Sequence, residues 1–123
     1  MRLWKSFIAV VFTSALVFSQ SERGNVTGIV TDPSGAAVPG AEITVTHRDT
    51  NATVKVVTTP TGEYNAPNLL PGTYRVEITA PSFKRFVQQN VVVAASTTVR
   101  LDVQLQLGQV SEQVEVTAAV SAI

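Results

Sequence analysis

The sequence predicts an all-β domain, an antiparallel Greek-key β-sandwich of seven to eight strands, and three observations carry that prediction. Several stretches alternate apolar and polar residues with the period of two that gives a strand one buried face. Clusters of Pro, Gly, Asp and Asn separate these stretches at near-regular intervals, as in sandwich domains. All six prolines fall in the predicted connections or at strand ends, where a missing N–H costs least. Beyond the N-terminal leader no stretch keeps a helical period.

The chain is organised around residues 28–45, which read as strand, Pro/Gly-rich connection and strand. The first strand covers 25–31, with Val26, Gly28 and Val30 on one face. A glycine inside a strand signals a close backbone approach or a bulge. Asp32-Pro33-Ser34-Gly35 carries strong turn chemistry: proline presets φ, aspartate bonds nearby backbone, and glycine tolerates positive φ. Val38-Pro39-Gly40 makes a second turn. Ala41, Ile43 and Val45 then alternate with Glu42, Thr44 and Thr46.

Residues 47–51 form a polar turn expected to be solvated. A β-branched strand follows at 53–58, then the turn 59–62. A short strand at 63–66 is expected to end at Pro67 and Asn68. After Leu70-Pro71-Gly72, Tyr74, Val76, Ile78 and Ala80 face one way, with Arg75, Glu77 and Thr79 opposite. Residues 83–94 are extended. The cleanest alternation is last, Val99, Leu101, Val103, Leu105 and Leu107 against Arg100, Asp102, Gln104 and Gln106. Tyr74, Val76, Ile78, Leu101, Val103 and Leu105 are therefore the expected shared core. Gly108 interrupts the pattern, which lets the chain leave the sandwich. Residues 110–117 make a weaker strand, and the small-residue tail 118–123 is not expected to anchor anything.

Residues 1–19 have the anatomy of a secretory signal peptide. Arg2 and Lys5 form a basic start, 7–18 is apolar apart from Thr13 and Ser14, and Val17-Phe18-Ser19 suits cleavage. The run is shorter than the about 20 apolar residues of a membrane span. The expected organisation is thus 1–19 signal peptide, 20–108 sandwich, and 109–123 C-terminal extended segment or linker. The chain has no cysteine, so neither lipid attachment through cysteine nor a disulfide framework is available. Nine basic and nine acidic residues cancel. No basic run exceeds Lys84-Arg85, which excludes the clustered positive charge of a nucleic-acid groove.

With Gly28-Ile29-Val30-Thr31-Asp32, Val38-Pro39-Gly40-Ala41-Glu42-Ile43-Thr44-Val45, Thr61-Gly62-Glu63-Tyr64 and Leu69-Leu70-Pro71-Gly72-Thr73-Tyr74-Arg75-Val76 in place, the chain resembles the carboxypeptidase regulatory-like domain. The resemblance runs from about Gly24 to Leu107. It implies a transthyretin-like sandwich, close to carbohydrate-binding-like and adhesin B-type domains. Ser82 stands where relatives usually have glycine, and Pro60 where many carry an acidic residue. The wording is similar to the N-terminal extension of TonB-dependent outer-membrane receptors, which follows a signal peptide and precedes a plug and barrel. That resemblance implies export to the periplasm or outer membrane of a Gram-negative bacterium. Within the tail, Glu112-Gln113-Val114-Glu115-Val116-Thr117-Ala118 resembles the TonB box, an extended segment that pairs with an energy-transducing protein. It makes Val114, Glu115, Val116, Thr117 and Ala118 the candidate partner-binding residues. Glu115 departs from the pattern, which is often apolar there.

The residues speak against catalysis, and no cofactor is expected. A zinc peptidase needs three protein ligands at motif spacing, and His47 is the only histidine. No G-x-S-x-G elbow is present. Asp32, near Asp49 or Glu42 as a calcium or acid/base pair, is better explained as a turn residue. The Asn25-Val26-Thr27 and Asn51-Ala52-Thr53 sequons read as ordinary β-rich sequence. An adhesin-type Lys–Asn crosslink lacks its lysine in the first strand and its asparagine in the last. Two other function classes stay open beside the receptor-extension reading. One is a carbohydrate-binding domain, for which Lys84, Phe86 and Gln88 form the one candidate cluster. The other is a regulatory domain associated with a secreted metallocarboxypeptidase.

Overall fold

The computed structural model describes residues 22–122; the signal-peptide expectation for 1–19 falls outside them. Ten strands follow one another: β1 (Gly24–Thr31), β2 (Glu42–His47), β3 (Thr53–Val57), β4 (Glu63–Leu69), β5 (Gly72–Thr79), β6 (Arg85–Val93), β7 (Thr98–Arg100), β8 (Val103–Gln104), β9 (Gln113–Val116) and β10 (Val120–Ser121). No described residue is helical. The strands form two sheets. The small sheet has the order β4-β1-β7 with β8 also on β1, and the large sheet β10-β6-β5-β2-β3 with β9 also on β6.

The sandwich is mixed rather than purely antiparallel. β7 and β8 run parallel to β1, and β9 and β10 run parallel to β6. Period-two alternation fixes the buried face of a strand and leaves its partner and direction open. The two halves of the organising stretch accordingly lie in different sheets, joined by a connection that crosses between them. Asp32 builds that connection: its Oδ1 accepts the Ser34 N–H (2.9 Å), the Ala36 N–H (3.0 Å) and the Ser34 hydroxyl (2.6 Å). Gly35 takes φ 85° in the same turn. These bonds, the Ser34 hydroxyl foremost, hold the Asp32 carboxyl below its ordinary range.

The expected core is present. Tyr74, Val76, Ile78, Leu101, Val103 and Leu105 are all buried, together with Val26, Val30, Ile43, Val45, Leu69, Val91, Val93 and Val99. Each such aliphatic contributes about 1.5–3 kcal/mol of burial. Leu107 is the exception, 65 % exposed although it shares the parity. It lies past the end of β8, where an isolated antiparallel bridge joins it to Phe83.

Two strands differ from expectation for visible reasons. β4 runs through Pro67 to Leu69: its register on β1 steps from Leu69 to Ala66 while β1 moves from Gly24 to Val26. Asn68 takes φ 59° inside this bulge, and Pro67 is tolerated because β4 is an edge strand. The expected continuous strand at 99–107 is split. The Leu101 carbonyl accepts the Tyr64 hydroxyl (2.5 Å), and the Ile29 N–H is bonded by Asp102 Oδ1 (2.9 Å) instead of a strand neighbour.

The tail also differs. After Gly108 the chain turns at Gln109–Glu112, with the Glu112 N–H donating to the Gln109 carbonyl (2.9 Å), and returns along β6. β10 pairs Val120 with Val91 and Ser121 with Val92. Val120 and Ala122 pack against the core. Residues 118–122 are thus anchored, because β6 would otherwise leave its edge open.

Candidate functional site

β6 is the inner strand of the seam on which the tail lies. It carries a bulge: β5 steps from Val76 to Tyr74 while β6 steps from Gln88 to Val91. Asn90 absorbs the extra residue with φ 57°, a conformation that Asn tolerates better than most side chains. Phe86 and Gln88 stand opposite Ile78 and Val76, so they face inward. Gln88 is 3 % exposed, and Phe86 packs partly against the core.

β9 lies on β6 in parallel register, Arg85 opposite Gln113, Phe86 opposite Val114, Val87 opposite Glu115 and Gln88 opposite Val116. The Arg85 N–H donates to the Glu112 carbonyl (2.9 Å). Lys84 Nζ meets the Glu112 carboxylate at 3.4 Å. Val114 and Val116 are half-buried, while Gln113, Glu115, Thr117 and Ala118 are exposed. Glu115 accepts a bond from Gln89 Nε2 (3.1 Å) on the outer face.

Past Val116 the ladder gives way to side-chain amides. Gln88 Nε2 donates to the Ala118 carbonyl (2.8 Å) and the Gln89 carbonyl (2.9 Å), with the Val116 carbonyl at 3.4 Å. Asn90 Nδ2 donates to the Thr117 carbonyl (2.7 Å), and Arg48 Nη2 donates to Asn90 Oδ1 (2.5 Å).

The sequence-predicted residues therefore come together, in a different relation from the expected one. Lys84, Phe86 and Gln88 form the seat of the tail instead of an open sugar platform. Val114 to Ala118 occupy that seat. Sequence reasoning missed Asn90 and Arg48. The available signal was the polar triplet Gln88-Gln89-Asn90 interrupting an apolar run between Val87 and Val91.

His47 is buried, not solvated. Its Nδ1 accepts the Asp49 and Thr50 N–H groups (3.2 and 3.3 Å), and its Nε2 faces the Pro71 carbonyl at 3.5 Å. The ring stacks edge-on to Tyr74 with centroids 4.9 Å apart. The imidazole thus closes a local turn through its Nδ1. Among the described residues no group of three or more His, Cys, Asp or Glu could hold a metal ion.

A groove of about 690 Å³ lies between β3 and the outer face of the small sheet, lined among others by Thr27, Ile29, Val57, Glu63, Asn65 and Arg100. Arg100 is held by Asp102 at 2.9 Å. Beneath it the buried Tyr64 phenol is pushed well above its ordinary range, chiefly by desolvation and further by the Asp102 carboxylate.

Fold and seam together define a β-sandwich module built around strand pairing. Residues 25–106 match the carboxypeptidase regulatory-like domain, and the chain belongs to that family, a regulatory-like, non-catalytic one. No curated protein sequence matches the chain. Among solved structures it is similar to the TIE protein of Bacillus anthracis, with TM-score 0.60, 20 % identity, 70 % of this chain and 17 % of that one covered. A carbohydrate-binding protein described as putative, from Bacteroides uniformis, gives TM-score 0.56, 24 % identity, and coverage of 68 % and 41 %. Catechol 1,2-dioxygenase of Acinetobacter radioresistens gives TM-score 0.56, 14 % identity, and coverage of 84 % and 58 %. The chain spans less than two thirds of each of these proteins, and at these identities the likeness is one of fold.

Proposed function

We propose that the chain is a non-enzymatic module of an exported cell-envelope protein, residing in the periplasm or outer membrane of a Gram-negative bacterium. In this reading it is of the kind that precedes the plug and barrel of a TonB-dependent receptor, and residues 112–118 offer a strand to a TonB-type energy-transducing protein. One observation carries the reading: among the described residues β9 pairs with β6 alone, which leaves its other edge for strand addition, in which backbone bonds give affinity.

The positions of the titratable groups support a non-enzymatic role. His47 locks a turn, Asp32 builds one, and Glu77 lies between Arg75 (3.1 Å) and Arg85 (3.2 Å). Against a sugar platform on β6 stand the inward packing of Phe86 and the commitment of the Gln88 amide to the tail.

The test is a calorimetric titration of the processed chain with a TonB periplasmic domain. Saturable binding, competed by a free peptide of residues 111–119, is expected. No binding at about 1 mM, the weak end of specific association, would overturn the reading. Cell fractionation checks the location: the processed chain is expected in the envelope fraction, and accumulation in the cytoplasm would contradict export.

A further inference from the structure

The seam between β6 and the tail is built in two unlike halves. Over 113–116 it is a parallel ladder. Over 116–118 the grip comes from Gln88 and Asn90, which bind main-chain carbonyls and read no tail side chain. Gln88 is almost fully buried, and a buried amide without partners is costly, so its donor capacity favours the docked tail. The bulge aims the Asn90 amide: Asn90 sits at φ 57°, and Arg48 holds its Oδ1 so that Nδ2 faces Thr117.

The ladder also has a phase. Arg85 donates to the Glu112 carbonyl, and main-chain groups of successive strand residues point to alternate sides. Val114 and Val116 therefore address β6, while the N–H and C=O of Gln113 and Glu115 point away from it.

We infer that Gln88 and Asn90 are a clasp that keeps the tail docked, and that a partner strand adds outside β9 through the main-chain groups of Gln113 and Glu115. β9 then becomes an interior strand of one continuous sheet. The second half of this inference rests on the reading of 112–118 as a partner-binding strand; the clasp itself does not.

Four variants of the chain decide it: Asn90→Asp, Gln88→Met, Glu115→Pro and Val116→Pro. Asn90→Asp keeps the acceptor for Arg48 and tolerates the positive φ, but loses the donor to Thr117. Amide hydrogen exchange at 114 and 116 is expected to rise about tenfold in Asn90→Asp and Gln88→Met, the scale of one net hydrogen bond, with Val99 and Val103 unchanged. Glu115→Pro is expected to leave 114 and 116 protected and to abolish binding of a TonB periplasmic domain. Val116→Pro removes a donor to β6 and is expected to undock the tail.

Unchanged exchange in Asn90→Asp overturns the clasp, also where Gln88→Met unfolds the core. Binding by Glu115→Pro equal to that of the unmodified chain overturns the outer edge. If the unmodified chain itself fails to bind, the partner reading and the outer edge fall together, and exchange alone decides the clasp.

Discussion

At Gly28 the first strand meets the carbonyl of Leu101 so closely that an added Cβ would overlap its oxygen. That same carbonyl accepts the Tyr64 hydroxyl, so one glycine and one phenol fix the contact between β1 and the last core strands. Gly28→Ala should therefore cost well above the about 1 kcal/mol of an average substitution, read by denaturant unfolding; a loss under about 0.5 kcal/mol, the surface range, would mean that the approach is looser. Leu101→Ala should cost about 2–5 kcal/mol as a buried truncation, and less than about 1 kcal/mol would contradict its burial.

Tyr64 adds a pH dependence. Its phenol is raised in the fold by burial, so above about pH 10, the unfolded value, the unfolded chain ionises first and gains proton-release free energy. Stability should be fully present below that pH and fall as pH rises above it. Tyr64→Phe should lower stability at neutral pH, through the lost bond to Leu101, and flatten the alkaline decline. An unchanged decline would show that other groups cause it.

At the scale of elements, the strands were legible wherever alternation was clean. Tyr74 to Ala80 and Val99 to Leu105 named their buried face, because a two-residue period is a local property, though the second stretch is split into β7 and β8. Pairing was not local. Nothing in Val99-Arg100-Leu101 says that it lies parallel to β1, and the proline at 67 hid a strand that runs on through a bulge because it lies at the sheet edge. The tail reads as extended, yet its docking involves Gln88 and Asn90, the second set by a bulge whose geometry involves β5. The same two-sided dependence misled the reading of Phe86 and Gln88 as a surface cluster. Their parity on β6 is inward, and polar Gln88 is inside because the tail carbonyls satisfy it.

For the whole molecule, the tail is part of the sandwich edge rather than a linker, since β9 and β10 together cover β6 from Arg85 to Val92. Heat or denaturant should thus unfold residues 24–122 in one transition, with tail and core probes coincident. A separate early loss of tail signals would place the seam at the low-stability end of the structure. With both His47 ring nitrogens turned to main-chain groups, the chain should carry no stoichiometric zinc. One tightly bound zinc per chain by elemental analysis would contradict that account of His47.

The central claim is that this sandwich acts by offering the open edge of β9. The most direct measurement is a backbone NMR titration of the isotope-labelled chain with an unlabelled TonB periplasmic domain. Saturating shift changes concentrated at residues 112–118, with the groove residues Thr27, Ile29 and Arg100 unmoved, are the expected result. Changes centred on that groove, or no changes at all, would contradict it.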